Sequence, residues 1–215
     1  MWWPTWAGWL CVFGVAGILA AIWALEGESF LARTERQPAD VLIVEGWISG
    51  QGISAAADEF KIGGYRAVVA TGGWSGERWS ARRWNYALDV EGYFLRMGLS
   101  RDRVILASSQ DTEAERTFQM AVAAWRALHA AGPMPRAVNI FTRGAHARRS
   151  RLVFAKAFGP ATKVGVISWQ PTNFEMEHWW HSSERSEDLI KETVGYLFEL
   201  IFNSGRASNS PQTGG

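Results

Sequence analysis

The sequence predicts an α/β protein: a Rossmann-like parallel sheet of about five strands with helices on both faces, preceded by one apolar helix. Three observations carry that expectation. Five short runs rich in β-branched residues recur along the chain: VLIVEGW, AVVATGG, RVILASS, AVNIFTR and KVGVISW. Patterns of helical spacing separate each run from the next. The runs are apolar at successive positions rather than alternate ones, as strands buried on both faces are.

In order, the first strand is expected over Val41–Trp47 and a helix over Ser54–Gly64, closed by glycine. The second strand is Ala67–Gly73. The helix that follows, Ala81–Gly98, sets Trp84, Leu88 and Leu95 on one face. A third strand over Arg103–Ser109 leads to a long helix over Thr112–Gly132, where Thr112 and Glu115 form the T-x-x-E pattern of a capping box. The fourth strand is Ala137–Arg143, a helix begins near Ala145, and Lys163–Trp169 is the fifth strand. A last helix lies around Glu187–Phe202, with Ser182 and Ser183 as candidate caps. The polar stretch 203–215 has the composition of a disordered tail.

Ahead of the domain, Trp6–Leu25 is continuous and apolar, close to the roughly 20 residues a helix needs to cross a bilayer. Tryptophans 2, 3, 6 and 9 stand at one end and Trp23 at the other, where interfacial aromatics belong. A cleaved signal peptide is the rival; it calls for a basic leading region and small residues before the cut, and neither is clear. Residues 1–25 therefore read as a membrane anchor, 26–39 as a linker and 40–202 as the α/β domain. Arg33 and Arg36 follow the span and no Lys or Arg precedes it, a weak positive-inside vote for a cytoplasmic domain. Cys11, the sole cysteine, falls within the span, so cysteine usage says nothing about redox compartment.

The formal net charge of +1 excludes a global field that would favour nucleic acid. Position must then carry any functional argument. In sheets of this kind ligands sit beyond the carboxyl ends of the strands. Those ends hold Glu45-Gly46-Trp47, Thr71-Gly72-Gly73, Asp111-Thr112 and Thr142-Arg143-Gly144-Ala145-His146. Glycines there allow backbone N–H groups to close on an anion. In TRGAHARRSRLVF, a helix from Ala145 puts His146, Arg149 and Val153 on one face. Cations in a first turn oppose the helix dipole, and a bound anion would relieve that cost. Arg148 and Arg151 point elsewhere and can be solvated surface, with a place in the site left open for Arg148. His178 and His181 are spaced like a metal pair, with Glu175, Glu177 and Glu184 near, but no third ligand is compellingly placed, so no metal is expected. Trp179 and Trp180 read as a platform over a ligand or as core. There is no G-x-S-x-G elbow and no cysteine nucleophile in the domain, so catalysis stays open.

VLIVEGW, ATGG, QDT, TRGAHARRSRLVF and HWWHSSE together resemble the YdcF/SanA/ElyC-like family of bacterial envelope proteins, over roughly Ala39–Phe202. HARRSRLVF is the most specific part. Thr142, His146 and Arg149 occupy the family's matching positions, and Arg143 replaces a serine. Gly46-Trp47 stands where Gly-Gly is common, and Asp111-Thr112 represents a longer acidic-Thr-x-Glu-Asn stretch. The resemblance implies a tethered Rossmann-like domain in cell-wall and envelope biogenesis, including lipid-carrier and peptidoglycan metabolism. It also implies an extracytoplasmic domain on the inner membrane, against the arginine vote. The expected ligand is a phosphorylated one, a polyprenyl or sugar phosphate. It would be held by Gly46, Trp47, Gly72, Gly73, Asp111, Thr112, Thr142, His146, Arg149 and Trp180, with no cofactor named. Two alternatives stay open: a nucleoside or S-adenosylmethionine module with Trp47 or Trp180 stacking on the base, and a scaffold without a small ligand.

Overall fold

The chain forms α1 (Trp6–Leu31), β1 (Val41–Glu45), α2 (Gly50–Ile62), β2 (Ala67–Gly72), α3 (Tyr86–Arg96), β3 (Val104–Ser108), α4 (Arg116–Ala131), β4 (Ala137–Arg143), α5 (His146–Phe158), β5 (Lys163–Trp169) and α6 (Ser183–Ile201). This is a computed structural model, and it describes residues 5–75, 83–112, 115–171 and 178–202. The five strands form one sheet in the order β3-β2-β1-β4-β5, and every neighbouring pair is parallel. The expected fold class is therefore the observed one. The polar stretch 203–215, Gly76 and the Glu175–Glu177 segment lie outside the described residues.

Alternation along β1 sorts the core into its two layers. Val41 and Ile43 pack with Phe118 of α4 and Val153 and Phe154 of α5. Leu42 and Val44 pack on the opposite face with Ala56 and Phe60 of α2 and Val90 and Phe94 of α3. Because β1 is central and buried at every position, its carboxyl end is the innermost point of the strand-end crevice. The strand order reverses between β1 and β4, and that is where an open α/β sheet places its ligand crevice.

Several boundaries differ from those expected. α2 starts at Gly50, earlier than the apolar pattern suggests, because the Ser49 hydroxyl accepts the Gly52 N–H at 3.3 Å and caps it. Of Trp84, Leu88 and Leu95, only Leu95 packs against the core. Ala87, Val90 and Phe94 are buried, whereas Trp84 and Leu88 are about half exposed. The first turn of α3 lies close against the glycines of the strand ends. A Cβ on Gly46 would stand 2.2 Å from the Tyr86 carbonyl oxygen, and one on Gly72 would stand 2.6 Å from the Tyr86 Cβ. α4 begins at Arg116, leaving Thr112 outside the helix, and Glu115 takes the N-cap place with a left-handed φ of 53° and no side-chain cap bond. The T-x-x-E pattern therefore does not cap α4. Ser182 does cap α6, accepting the Arg185 N–H at 3.4 Å.

The segment expected as linker is largely structure. α1 continues to Leu31, which is fully buried with Leu189 of α6 and Ala145. Glu28 of α1 takes the Arg185 fork at 2.5 and 3.0 Å. Glu35 then pairs antiparallel with Val166 of β5 through two backbone bonds, 2.8 and 2.9 Å. Beyond it, the Asn139 amide accepts the Gln37 N–H and donates to the Gln37 carbonyl, both at 2.9 Å. Gly165 is required beside this contact, since a Cβ there would lie 2.1 Å from the Asn139 Oδ1. Upstream, the most apolar 18-residue window of α1 has no buried residue. The helix is long and apolar enough to cross a membrane, as a membrane anchor or a signal sequence is.

Candidate functional site

At the innermost strand end stands a carboxylate, Glu45, with no solvent exposure. Burying such a group is costly unless its oxygens are satisfied. Here Thr142 at the end of β4 donates to Oε2 at 2.5 Å, Ser150 of α5 donates to Oε1 at 2.7 Å, and the Trp47 indole N–H reaches Oε2 at 3.2 Å. One carboxylate thus ties together β1, β4, α5 and the turn after β1. The turn into α5 is made possible by Gly144, whose φ of 51° a side chain would strain.

His146 opens α5 above this carboxylate. Its Nε2 is buried without a hydrogen-bond partner and lies 3.5 Å from Glu45 Oε2. Its Nδ1 lies 3.0 Å from both the Glu192 Oε1 and the Arg149 Nη2. With its proton on Nδ1 the ring donates to Glu192; with the proton on Nε2 it faces Glu45 and accepts from Arg149. His146 therefore lies between two buried carboxylates, with Nδ1 3.0 Å from Glu192 and Nε2 3.5 Å from Glu45.

Arg149 is committed within the protein. Its Nε and Nη2 grip the two Glu192 oxygens at 2.5 and 3.0 Å, a bidentate fork. The side chain lies across α6 at Gly195, where a Cβ would come within 2.8 Å of Arg149 Cδ. Burial by itself would raise the Glu192 carboxyl, but His146 and Arg149 outweigh it and hold Glu192 well below the usual carboxylate range. Burial opposes the charge of Arg149 as well, and its hydrogen bond to Glu192 reverses that effect and raises its pKa.

The other arginines of this stretch are not solvated surface. Arg148 donates to the Phe30 carbonyl at 2.8 Å and sits 3.8 Å over the Phe30 ring. Arg151 donates to the Val164 carbonyl at 3.0 Å and pairs with Glu35 at 2.9 Å. Both fasten the segment after α1. Arg143 spans to Glu184 and Asp188 of α6 at 3.0 and 2.8 Å.

A cavity of about 420 Å³ opens over these groups. Of the residues expected to hold a ligand, Trp47, Gly73, Thr112, His146 and Arg149 line it. Gly46, Gly72, Asp111, Thr142 and Trp180 are not in its wall. Gly46 and Gly72 instead admit α3, as described above. Thr142 lies fully buried beneath, on Glu45. Asp111 holds the Arg83 fork at 2.8 and 2.9 Å. Trp180 stacks on His178 at 4.2 Å. Trp47 packs edge-on to His146 at 5.0 Å, with the Arg143 guanidinium 5.8 Å over its ring. Trp74, Phe118 and Met120 add apolar wall.

Two cations of the wall carry no sequence signal. Arg116 opens α4 and Lys191 lies on α6, both exposed, and among the described residues neither side chain makes an ion pair or hydrogen bond. Only the fold brings them to one rim. Glu192 was equally hidden, for nothing in its own helix marks it as the partner of a distant arginine. No protein-family model, curated protein or solved structure matches the chain. The class defined by fold and site is thus a Rossmann-like α/β domain with an apolar N-terminal helix and a strand-end pocket.

Arg149→Ala should leave Glu192 buried without its cation and destabilise the domain by about 3–5 kcal/mol. Adding Glu192→Leu to it should restore part of that loss in chemical denaturation. The depressed Glu192 carboxyl also sets a pH dependence. Its contribution is complete above the ordinary value of 4.5 and is lost as pH falls below it, because the unfolded chain takes up the proton first. Melting temperature should fall more steeply below pH ~4.5 in the natural chain than in Glu192→Gln.

Proposed function

We propose that this protein is a membrane-tethered envelope protein whose strand-end pocket binds a phosphorylated ligand, a polyprenyl or sugar phosphate, in cell-wall or envelope biogenesis. The observation that carries the reading is the pair of cations, Arg116 and Lys191, without a side-chain partner among the described residues, in the wall of a pocket at the strand ends. An anion there meets charges that need no release from a partner. Trp74, Phe118 and Met120 in the same wall offer apolar surface of the kind a prenyl chain would cover. The committed fork of Arg149 moves the anion contact away from the HARRSR stretch to the rim. The resemblance to YdcF/SanA/ElyC-like proteins supports the envelope role and the placement of the domain outside the cytoplasm, and α1 supports the tether.

Full-length protein in nanodiscs should bind farnesyl phosphate and not farnesol. Arg116→Ala and Lys191→Ala should each weaken that binding roughly tenfold. Lys61→Ala, on the opposite face of the sheet, should leave it unchanged. Affinity unaffected at both rim positions, or binding of S-adenosylmethionine in place of farnesyl phosphate, would defeat the proposal. For topology, a C-terminal alkaline phosphatase fusion should be active and a C-terminal green fluorescent protein fusion dark; the reverse pattern would put the domain in the cytoplasm.

A further inference from the structure

α6 is built inside out. A helix on the surface of a soluble domain turns its apolar stripe to the core and its charges to water. In α6 the side facing the protein is largely polar. Arg185 pairs with Glu28, Asp188 with Arg143, Glu192 with Arg149, and Glu199 with Lys156 at 3.1 Å. Leu189 is its one buried apolar residue. Ile190, Val194, Leu197, Phe198 and Ile201 recur at helical spacing on the other side, each between 45% and 69% exposed. A contiguous exposed stripe of this kind marks a surface that water does not normally cover.

What lies beside the stripe identifies its occupant. The Trp23 indole of α1 donates to Thr193 of α6 at 3.2 Å, and Phe30 of α1 meets Tyr196 edge-on at 5.9 Å. The apolar surface of α6 is thereby continuous with that of α1, where Ile18, Leu19 and Ile22 are each more than half exposed. Around the helix, the stripe is bordered by Thr193 on the side of α1 and by Lys191 on the side of the pocket.

We propose that α6 is a second membrane contact, lying in the bilayer interface with Ile190, Val194, Leu197, Phe198 and Ile201 among the acyl chains beside α1. The inference rests on α1 being a membrane anchor. It places Lys191, and with it the rim of the pocket, at the level of the lipid head groups. The ligand of the pocket is then reached from the membrane, and a lipid-linked phosphate is favoured over a freely dissolved one.

The chain has one cysteine, so a Cys11→Ser background allows a single probe to be placed at will. Bimane would be attached at Val194→Cys or Leu197→Cys, with Lys61→Cys as the control site. Full-length protein is reconstituted in phosphatidylcholine–phosphatidylglycerol vesicles and floated on a density gradient. In floated protein, brominated lipid should quench the two α6 probes severalfold more than the control, and iodide should quench them severalfold less. Protein that does not float overturns both the anchor and this inference. Floated protein whose α6 probes are open to iodide overturns the inference alone. Shielding that disappears when the protein is diluted into excess lipid would mean that a second copy covers the stripe, and also overturns it. Farnesyl phosphate binding is measured on the same vesicles. Its absence beside intact shielding would defeat the reading of the pocket and leave the membrane contact standing.

Discussion

Much of this structure hangs on one buried carboxylate. Glu45 ends the central strand, without any exposure, where an apolar residue would be the cheaper choice. Its oxygens are satisfied from β4, α5 and the turn after β1 at once, so the crevice where the strand order reverses is closed from below by hydrogen bonds. Thr142, Ser150 and Trp47 are each committed to it. His146, 3.5 Å away, extends the arrangement to Glu192 and Arg149, and through them to α6. The floor of the pocket is therefore a polar lattice rather than packed hydrocarbon. Such lattices enforce a particular geometry, since any misplaced member leaves a buried group unpaired.

The same logic extends outward. α6 contributes little apolar surface to the domain and is held by ion pairs spaced along α5 and β4. α1 is joined to α6 by Arg185 and Glu28, and to α5 by Arg148 over Phe30. The apolar core between sheet and helices is conventional, and the periphery is assembled by charge. That division explains the arginine-rich start of α5: its side chains are the fastenings between layers.

How much of this could be read from the chain varies by feature. The fold class was legible because strands buried on both faces show as unbroken apolar runs, and β4 and β5 have the expected limits. The start of α5 was legible from the same pattern. Helix faces were less so: in α3 the large residues suggest Trp84 and Leu88, yet Ala87, Val90 and Phe94 are the buried ones. The strand-end position of His146 and Arg149 follows from the start of α5, but the counter-ion of Arg149 lies 43 positions along, on a helix whose own pattern gives no hint. Pairing between distant elements is set by topology, and a single sequence does not display it. Arg116 and Lys191 were invisible for the same reason, each looking like an ordinary surface cation until the fold put them on one rim.

The bridge between Glu35 and Val166, with Gln37 locked on Asn139, has a mechanical consequence. Between the apolar length of α1 and the first strand there is no slack: Trp23, Glu28, Leu31, Glu35 and Gln37 are each fastened to the domain within a few residues of one another. A flexible leash would let a domain tumble and sweep a hemisphere. This one is mounted as on a bracket, so whatever fixes the far end of α1 also fixes the tilt and azimuth of the sheet. A twist applied to that helix would reach β5 directly, through the backbone.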